Sequence, residues 1–239
     1  MKILAFDSTA KAASVAVCED EKLLALYNID NGLTQSELLL PMAENILKSL
    51  KLSFSDIELI TASVGPGSFT GVRIGVALAK GLAFGKNIPC ASVSTLEALA
   101  ENLCPLKGYF VPCMDARRNQ VYTAIFSCDG ESIERITEDK AISTEELADE
   151  LKKLTDKPIY LTGDGYEVAM RALIKHGLNI PNTPPLLITQ NAYSIARIAL
   201  KHYKSGQLVS DNLLAPTYLR LPQAERERLE KLNAKDDNK

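Results

Sequence analysis

Three apolar runs in the first 29 residues constrain this chain more than any other stretch. Residues 2–7 (Lys-Ile-Leu-Ala-Phe-Asp), 13–18 (Ala-Ser-Val-Ala-Val-Cys) and 22–29 are each of strand length, separated by the short polar turns Thr9-Ala10-Lys11 and Glu19-Asp20-Glu21. Turns this short join antiparallel neighbours, because a parallel return needs a crossover of about a dozen residues or more. A β-meander therefore opens the protein.

The period then changes. A helical segment runs from about Ser36 to Lys51, followed by a strand near Glu58–Val64, a glycine-rich turn, a second helix from about Thr70 to Phe84, a strand at Ile88–Val93 and a helix around Thr95–Leu103. A meander feeding βα units predicts an α/β fold with a mixed sheet.

Cys104-Pro105-Leu106-Lys107-Gly108 is the best candidate for a boundary. The residues beyond it partly repeat the N-terminal pattern. Tyr109–Met114 ends at Asp115 as the first strand ends at Asp7, Gln120–Ser127 reads as the next strand, and Ser132–Ile136 as a third. A helix at Thr144–Lys153, a strand at Pro158–Thr162 and a helix from Tyr166 to about Lys175 continue the series. The expected division is 1–105, 106–222 and a charged tail, 223–239, that reads as a frayed helix or disordered segment.

With 239 residues, 46% of them hydrophobic, the chain has ample material for a buried core. Lys plus Arg number 27 against 30 Asp plus Glu, a formal charge of -3, so no global positive field favours tight, independent binding to nucleic acid. Asp7 interrupts any signal-like apolar start, and no window approaches the roughly 20 apolar residues of a membrane span. A cytoplasmic protein without membrane contact is expected. Cys18, Cys90, Cys104, Cys113 and Cys128 are odd in number and lack C-x-x-C spacing, so they read as reduced core residues. His176 and His202 form no triad or ligand pair and read as solvated.

The stretch Gly65-Pro66-Gly67-Ser68-Phe69-Thr70-Gly71-Val72-Arg73-Ile74-Gly75 joins a strand end to a helix start. Ser68 or Thr70 can cap the helix, and the free N–H groups there can receive an anion. Ordinary construction explains it equally well, since it matches neither G-x-x-x-x-G-K-[ST] nor G-x-G-x-x-G.

As a string, Gly65–Gly75 closely resembles the signature G-P-G-S-F-T-G-[VL]-R-[IV]-G of the TsaB/YeaZ family. Ile3-Leu4-Ala5-Phe6-Asp7-Ser8-Thr9 resembles that family's opening strand and turn, Met114–Tyr122 its D-A-R-x-x-x-[VI]-Y segment, and Pro216-Thr217-Tyr218-Leu219-Arg220 its ending. The similarity spans nearly the whole chain. One departure is Thr34-Gln35-Ser36-Glu37, where many relatives carry H-S-E.

The resemblance implies two RNase H-like halves of the actin/Hsp70/sugar-kinase superfamily. In that superfamily the acidic first-strand end and the turn after it approach nucleotide phosphate and its metal. It thus makes Asp7, Ser8, Thr9, Gly67 and Asp115 candidates for a vestigial nucleotide site. A turn capping its own backbone is the alternative for Asp7-Ser8-Thr9. Gly163-Asp164-Gly165 is likewise either a remnant of an adenosine-binding turn or a plain strand-to-helix turn.

Val93–Leu99 lines up with the catalytic paralogue TsaD, whose H-x-E-x-H places two metal-binding histidines on one helix face. Thr95 and Leu99 stand at those positions here. A threonine hydroxyl is a poor ligand for a transition metal and leucine has no lone pair. No metal site and no catalytic residue is expected.

The first helix carries apolar residues over an arc of roughly 200°, about twice what one buried face needs. The second has only Arg73 and Lys80 as charges. Burial inside one globule would explain both, although Gly71, Gly75, Ala77, Ala79 and Gly81 also permit close helix approach. The resemblance implies pairing through these helices. The candidate partner-binding residues are Leu39, Met42, Ala43, Ile46 and Leu50 on the first, and Val72, Val76, Ala79 and Lys80 on the second.

The expectation is a non-catalytic scaffold subunit that pairs with a TsaD-type catalytic subunit and forms a homodimer when alone. With a TsaE-type ATPase it would support threonylcarbamoyl transfer to the adenosine next to the anticodon in tRNAs reading ANN codons. It would meet tRNA only through the complex and need no cofactor of its own, ATP or ADP at the partner interface being the one nucleotide this leaves room for. The alternatives are an ATP-dependent kinase or peptidase-like enzyme of the same fold, and a self-sufficient homodimeric binding module.

Overall fold

The computed structural model describes residues 1–104, 106–154 and 156–220. The charged segment 223–239 lies outside the described residues, as does Pro105 of the boundary segment.

Strands β1 (Lys2–Asp7), β2 (Ala13–Glu19) and β3 (Lys22–Ile29) form the antiparallel meander. Strand β4 (Leu59–Ser63) joins β1 in parallel and β5 (Cys90–Val93) joins β4 in parallel, giving the order β3-β2-β1-β4-β5. Five residues of β1 are buried, so it reads as a continuous apolar run covered on both faces. The two-residue period divides them. Leu4 and Phe6 enter the core beneath α1 (Gln35–Ser49) and α2 (Phe69–Ala83), while Ile3 and Ala5 face the opposite core.

That opposite core is closed by a helix that nothing in the sequence expectations placed there. It is numbered α6 (Ala192–Lys204), after α3 (Thr95–Asn102), α4 (Thr144–Leu151) and α5 (Tyr166–Lys175). Asn191 caps it, its side chain accepting the Tyr193 N–H at 2.8 Å. Ile195, Ile198 and Ala199 pack beneath β1, β2, β4 and β5. The helix belongs in sequence to 106–222, yet its apolar face completes the first sheet. The buried Glu101 of α3 clasps it through Arg197 at 2.9 Å and Lys201 at 3.1 Å.

The second sheet repeats the first. Strand β6 (Gly108–Arg117) takes the place of β1, with β11 (Ile159–Thr162) parallel to it as β4 is to β1. The expected strand Gln120–Ser127 is two pieces, β7 (Gln120–Thr123) and β8 (Phe126–Cys128), which pair with one edge of β6 in a common register, Cys113↔Thr123 and Phe110↔Phe126. The break falls at Ile125, whose N–H donates to Thr137 Oγ1 at 2.9 Å. The third strand is likewise double: β9 (Ile133–Arg135) pairs with β8 and β10 (Lys140–Ser143) with β7.

Five layers result. Helices α1 and α2 cover the first sheet, α3 and α6 fill the middle, and α4 and α5 cover the second sheet. The middle layer is a shared core in which Leu96 and Leu99 of α3, and Leu103 at its C-terminal cap, meet Phe110, Met114 and Phe126.

Candidate functional site

A cleft of about 600 Å³ opens where the carboxyl ends of β1, β4, β6 and β11 converge, the place where α/β sheets present their binding crevices. Its walls are the turn Ala10–Ala12, the loop Pro66–Phe69, the end of β6 at Asp115–Arg117, and Gly163–Asp164. Ile188–Gln190 and the final stretch Thr217–Arg220 complete it.

Of the five candidate nucleotide residues, Gly67 and Asp115 line this cleft. Asp7, Ser8 and Thr9 are at most 1% exposed and do not. Their polar atoms are engaged inside the chain. Asp7 Oδ1 accepts the Thr9 N–H at 2.8 Å and the Thr9 hydroxyl at 2.6 Å, and the Ser8 hydroxyl donates to the Gly71 carbonyl at 2.7 Å. Burial pushes the Asp7 carboxyl up to about 6, against the opposing pull of the Thr9 hydrogen bonds.

The glycine signature has a structural reason in this interlock. The Ser68 N–H donates to the Thr9 carbonyl at 2.7 Å, and Ser68 Oγ caps α2 by accepting the Gly71 N–H at 3.2 Å. A Cβ on Gly67 would strike the Thr9 backbone, and one on Gly71 the Ser8 carbonyl oxygen. Two loops thus approach backbone to backbone, where only glycine fits. The Gly65–Pro66 peptide is cis.

Across the cleft, Asp115 is held by its neighbours. Its N–H donates to Asp164 Oδ1 at 2.9 Å, its Oδ1 accepts the Arg117 N–H at 2.8 Å, and its other oxygen lies 3.4 Å from the Arg117 guanidinium. Arg117, Arg118 and Asn119 follow in the left-handed region, with φ of 67°, 53° and 55°. Gly163 and Gly165 approach the Cys113 carbonyl so closely that neither could carry a Cβ in place.

The last described residues tie the halves together. The Thr217 N–H donates to the Val64 carbonyl at 2.7 Å, Arg73 Nε donates to the Tyr218 hydroxyl at 2.7 Å, and Phe69 and Tyr218 stack with centroids 4.9 Å apart. Arg220 Nη1 then donates to Gln120 Oε1 at 2.6 Å on the second sheet.

The candidate partner-binding residues are placed differently from a binding surface. Leu39, Met42, Ala43, Ile46, Val72, Val76 and Ala79 are 0–3% exposed in this chain's own core, and Leu50 and Lys80 are half-buried. The outward face of α2 carries Arg73, Ala77 and Gly81 exposed, with Ile74, Leu78 and Leu82 half-buried beside them. Phe84, capping that helix, is 74% exposed, and Leu40 on α1 is 38% exposed. Sequence spacing contained a signal for this face. Arg73 and Lys80, seven residues apart, lie on one side of the helix, and Ala77 and Phe84 fall between and beyond them on that side.

On α3, Thr95 is fully buried with its hydroxyl 3.3 Å from Ser63 Oγ, and Leu99 is 1% exposed in the middle core. His176 ends α5 and His202 lies in α6, both away from the cleft. Among the described residues no group of three or more His, Cys, Asp or Glu is arranged to hold a metal ion, and no helix is long and apolar enough to cross a membrane.

Paired RNase H-like sheets, outer helices and a cleft at the strand ends define the class, the actin/Hsp70/sugar-kinase fold. Residues 34–205 match the family described as TsaD: tRNA N6-adenosine threonylcarbamoyltransferase. The chain is 31% identical over 222 residues to the tRNA threonylcarbamoyladenosine biosynthesis protein TsaB of Escherichia coli (strain K12), covering 92% of this chain and 95% of that protein. It is 35% identical over 165 residues to TsaB of Bacillus subtilis (strain 168), covering 68% and 71%. The chain belongs to the TsaB/YeaZ family. YeaZ from Pseudomonas aeruginosa shares the fold, with a TM-score of 0.78 at 24% identity over 91% of this chain and 99% of that one.

Proposed function

We propose that this chain is a non-catalytic accessory subunit in the formation of threonylcarbamoyladenosine on tRNA, acting by pairing with a TsaD-type catalytic subunit. The observation that carries this reading is the outward face of α2, where Ala77, Gly81 and the exposed Phe84 leave an apolar strip. A Cβ added at Gly81 meets nothing within 4 Å, so the small residue is not required by the chain's own packing. Small residues on an exposed face permit a second helix to approach closely, and exposed apolar groups flanked by the charges of Arg73 and Lys80 suit an interaction site. The same face serves a second copy of the chain when the partner is absent. A TsaE-type ATPase and tRNA join through the assembled complex.

The decisive experiment uses Gly81→Arg and Ala77→Arg, which place a long charged side chain on the strip without touching the core. Light scattering of each variant mixed with a TsaD-type subunit should lose the mixed species, with loss of threonylcarbamoyladenosine from tRNA in cells. Folded variants that pair normally would reject this face.

An ATP-using enzyme of the same fold is the rival reading, favoured by the cleft. Against it stands the withdrawal of Asp7, Ser8 and Thr9 behind the cleft wall. ATP turnover by the isolated chain would reverse the preference.

A further inference from the structure

We propose that Cys104 and Cys128 form a modification site, a dithiol that peroxide can close to a disulfide joining the end of α3 to the second sheet. Their sulfurs lie 3.3 Å apart although the residues are 24 positions apart in sequence. A disulfide needs about 2.05 Å, so closure requires a movement of only about 1.3 Å, within reach of a small side-chain rotation. The two differ in access. Cys104 is partly exposed just beyond α3, whereas Cys128 is 2% exposed in the middle core, its sulfur accepting the Gly130 N–H at 3.3 Å. Cys18, Cys90 and Cys113 are buried elsewhere in the two sheets.

The more accessible of the two, Cys104, reacts first. Cys104 thiolate attacks one oxygen of the peroxide, the O–O bond breaks, and the products are a Cys104 sulfenic acid and hydroxide, which takes up the thiol's proton as water. Cys128 sulfur then attacks Cys104 sulfur, forming the S–S bond and expelling the sulfenic oxygen, which leaves as water with the Cys128 proton. Two thiols are oxidised by two electrons in total and one peroxide is reduced to two waters. Burial, the hydrogen bond with Cys128 and the nearby Glu101 carboxylate push the Cys104 thiol up to about 12. The thiolate, which is the nucleophile, is therefore scarce near neutrality, so the first step is slow there and accelerates about tenfold per pH unit as pH rises.

The site is independent of the pairing surface on α2. The test treats the full chain with hydrogen peroxide, then measures intact mass and maps peptides without reduction. The expected result is a mass lower by two hydrogens, a peptide link between Cys104 and Cys128, restoration by dithiothreitol, and a rate that climbs with pH. Cys104→Ser and Cys128→Ser, checked for native circular dichroism, should each abolish the link. An unchanged mass, oxygen addition without cross-linking, a link through another cysteine, or a rate independent of pH would overturn the assignment.

Discussion

Asp7 was a candidate nucleotide ligand at the end of β1, yet its Oδ1 accepts both the N–H and the hydroxyl of Thr9 in the turn just after it. Its folded pKa of about 6 lies above the ordinary 3.8, so between those values the folded state binds more protons than the unfolded one. Stability from this group is therefore greatest at low pH, falls as pH rises from about 4 to about 6, and is level above that. The cost of the buried charge near neutrality is up to about 3 kcal/mol. Asp7→Asn keeps an oxygen for the Thr9 N–H and removes the charge. Thermal melts should find the variant at least as stable as the parent at pH 7.5, with the difference closing towards pH 4. A variant much less stable at pH 7.5 would show that the ionised carboxylate is needed. The sequence made Asp7 a candidate ligand because an acidic strand end looks the same whether it faces a cleft or its own turn. Only the distance to Thr9 separates those cases.

The two outer helices were legible in extent and opaque in orientation. The N-terminal end of α1 is closed by Thr34 and Glu37, a pairing the sequence expectations did not use; the Glu37 carboxylate accepts the Thr34 N–H at 2.9 Å and hydroxyl at 2.7 Å. Those hydrogen bonds hold the Glu37 carboxyl below the usual range. Helix α2 is apolar almost all round, so composition could not tell a core-facing valine from an outward alanine. Val72, Val76 and Ala79 consequently stood as partner contacts but belong to the core. Changes five residues apart on the same helix should therefore have very different effects. Val76→Glu buries an unpaired carboxylate and should lower unfolding stability by about 3 kcal/mol or more. Gly81→Arg should leave unfolding stability unchanged or raise it by up to about 1 kcal/mol, because arginine is the better helix former at an unstrained, open position. Equal midpoints for the two variants would contradict the assigned orientation.

At the scale of the molecule, the meander, the βα units and the repeat of Asp7 in Asp115 were all readable from local patterns. Helix α6 was not, because a run such as Ala192-Tyr193-Ser194-Ile195-Ala196 carries no mark of which distant sheet it will cover. The cleft was equally hidden, since its walls come from both ends of the chain and meet only after both sheets have formed. The first sheet depends on late residues on both sides. Helix α6 covers one face, Leu214 is fully buried in the core on the other, and Val209 exchanges backbone hydrogen bonds of 2.9 Å with Cys90 at the edge of β5. A fragment ending at residue 105 would leave Ile3, Ala5, Leu59 and Val93 uncovered. It should be insoluble or fail to show a cooperative melt; a soluble fragment with a sharp transition would contradict this dependence. During synthesis, the same dependence means that the earliest strands to leave the ribosome wait for almost the last described residues. From the completion of β5 at Val93 to that of α6 at Lys204 the nascent chain would hold an apolar sheet face open, the kind of exposure that makes an emerging chain prone to aggregate.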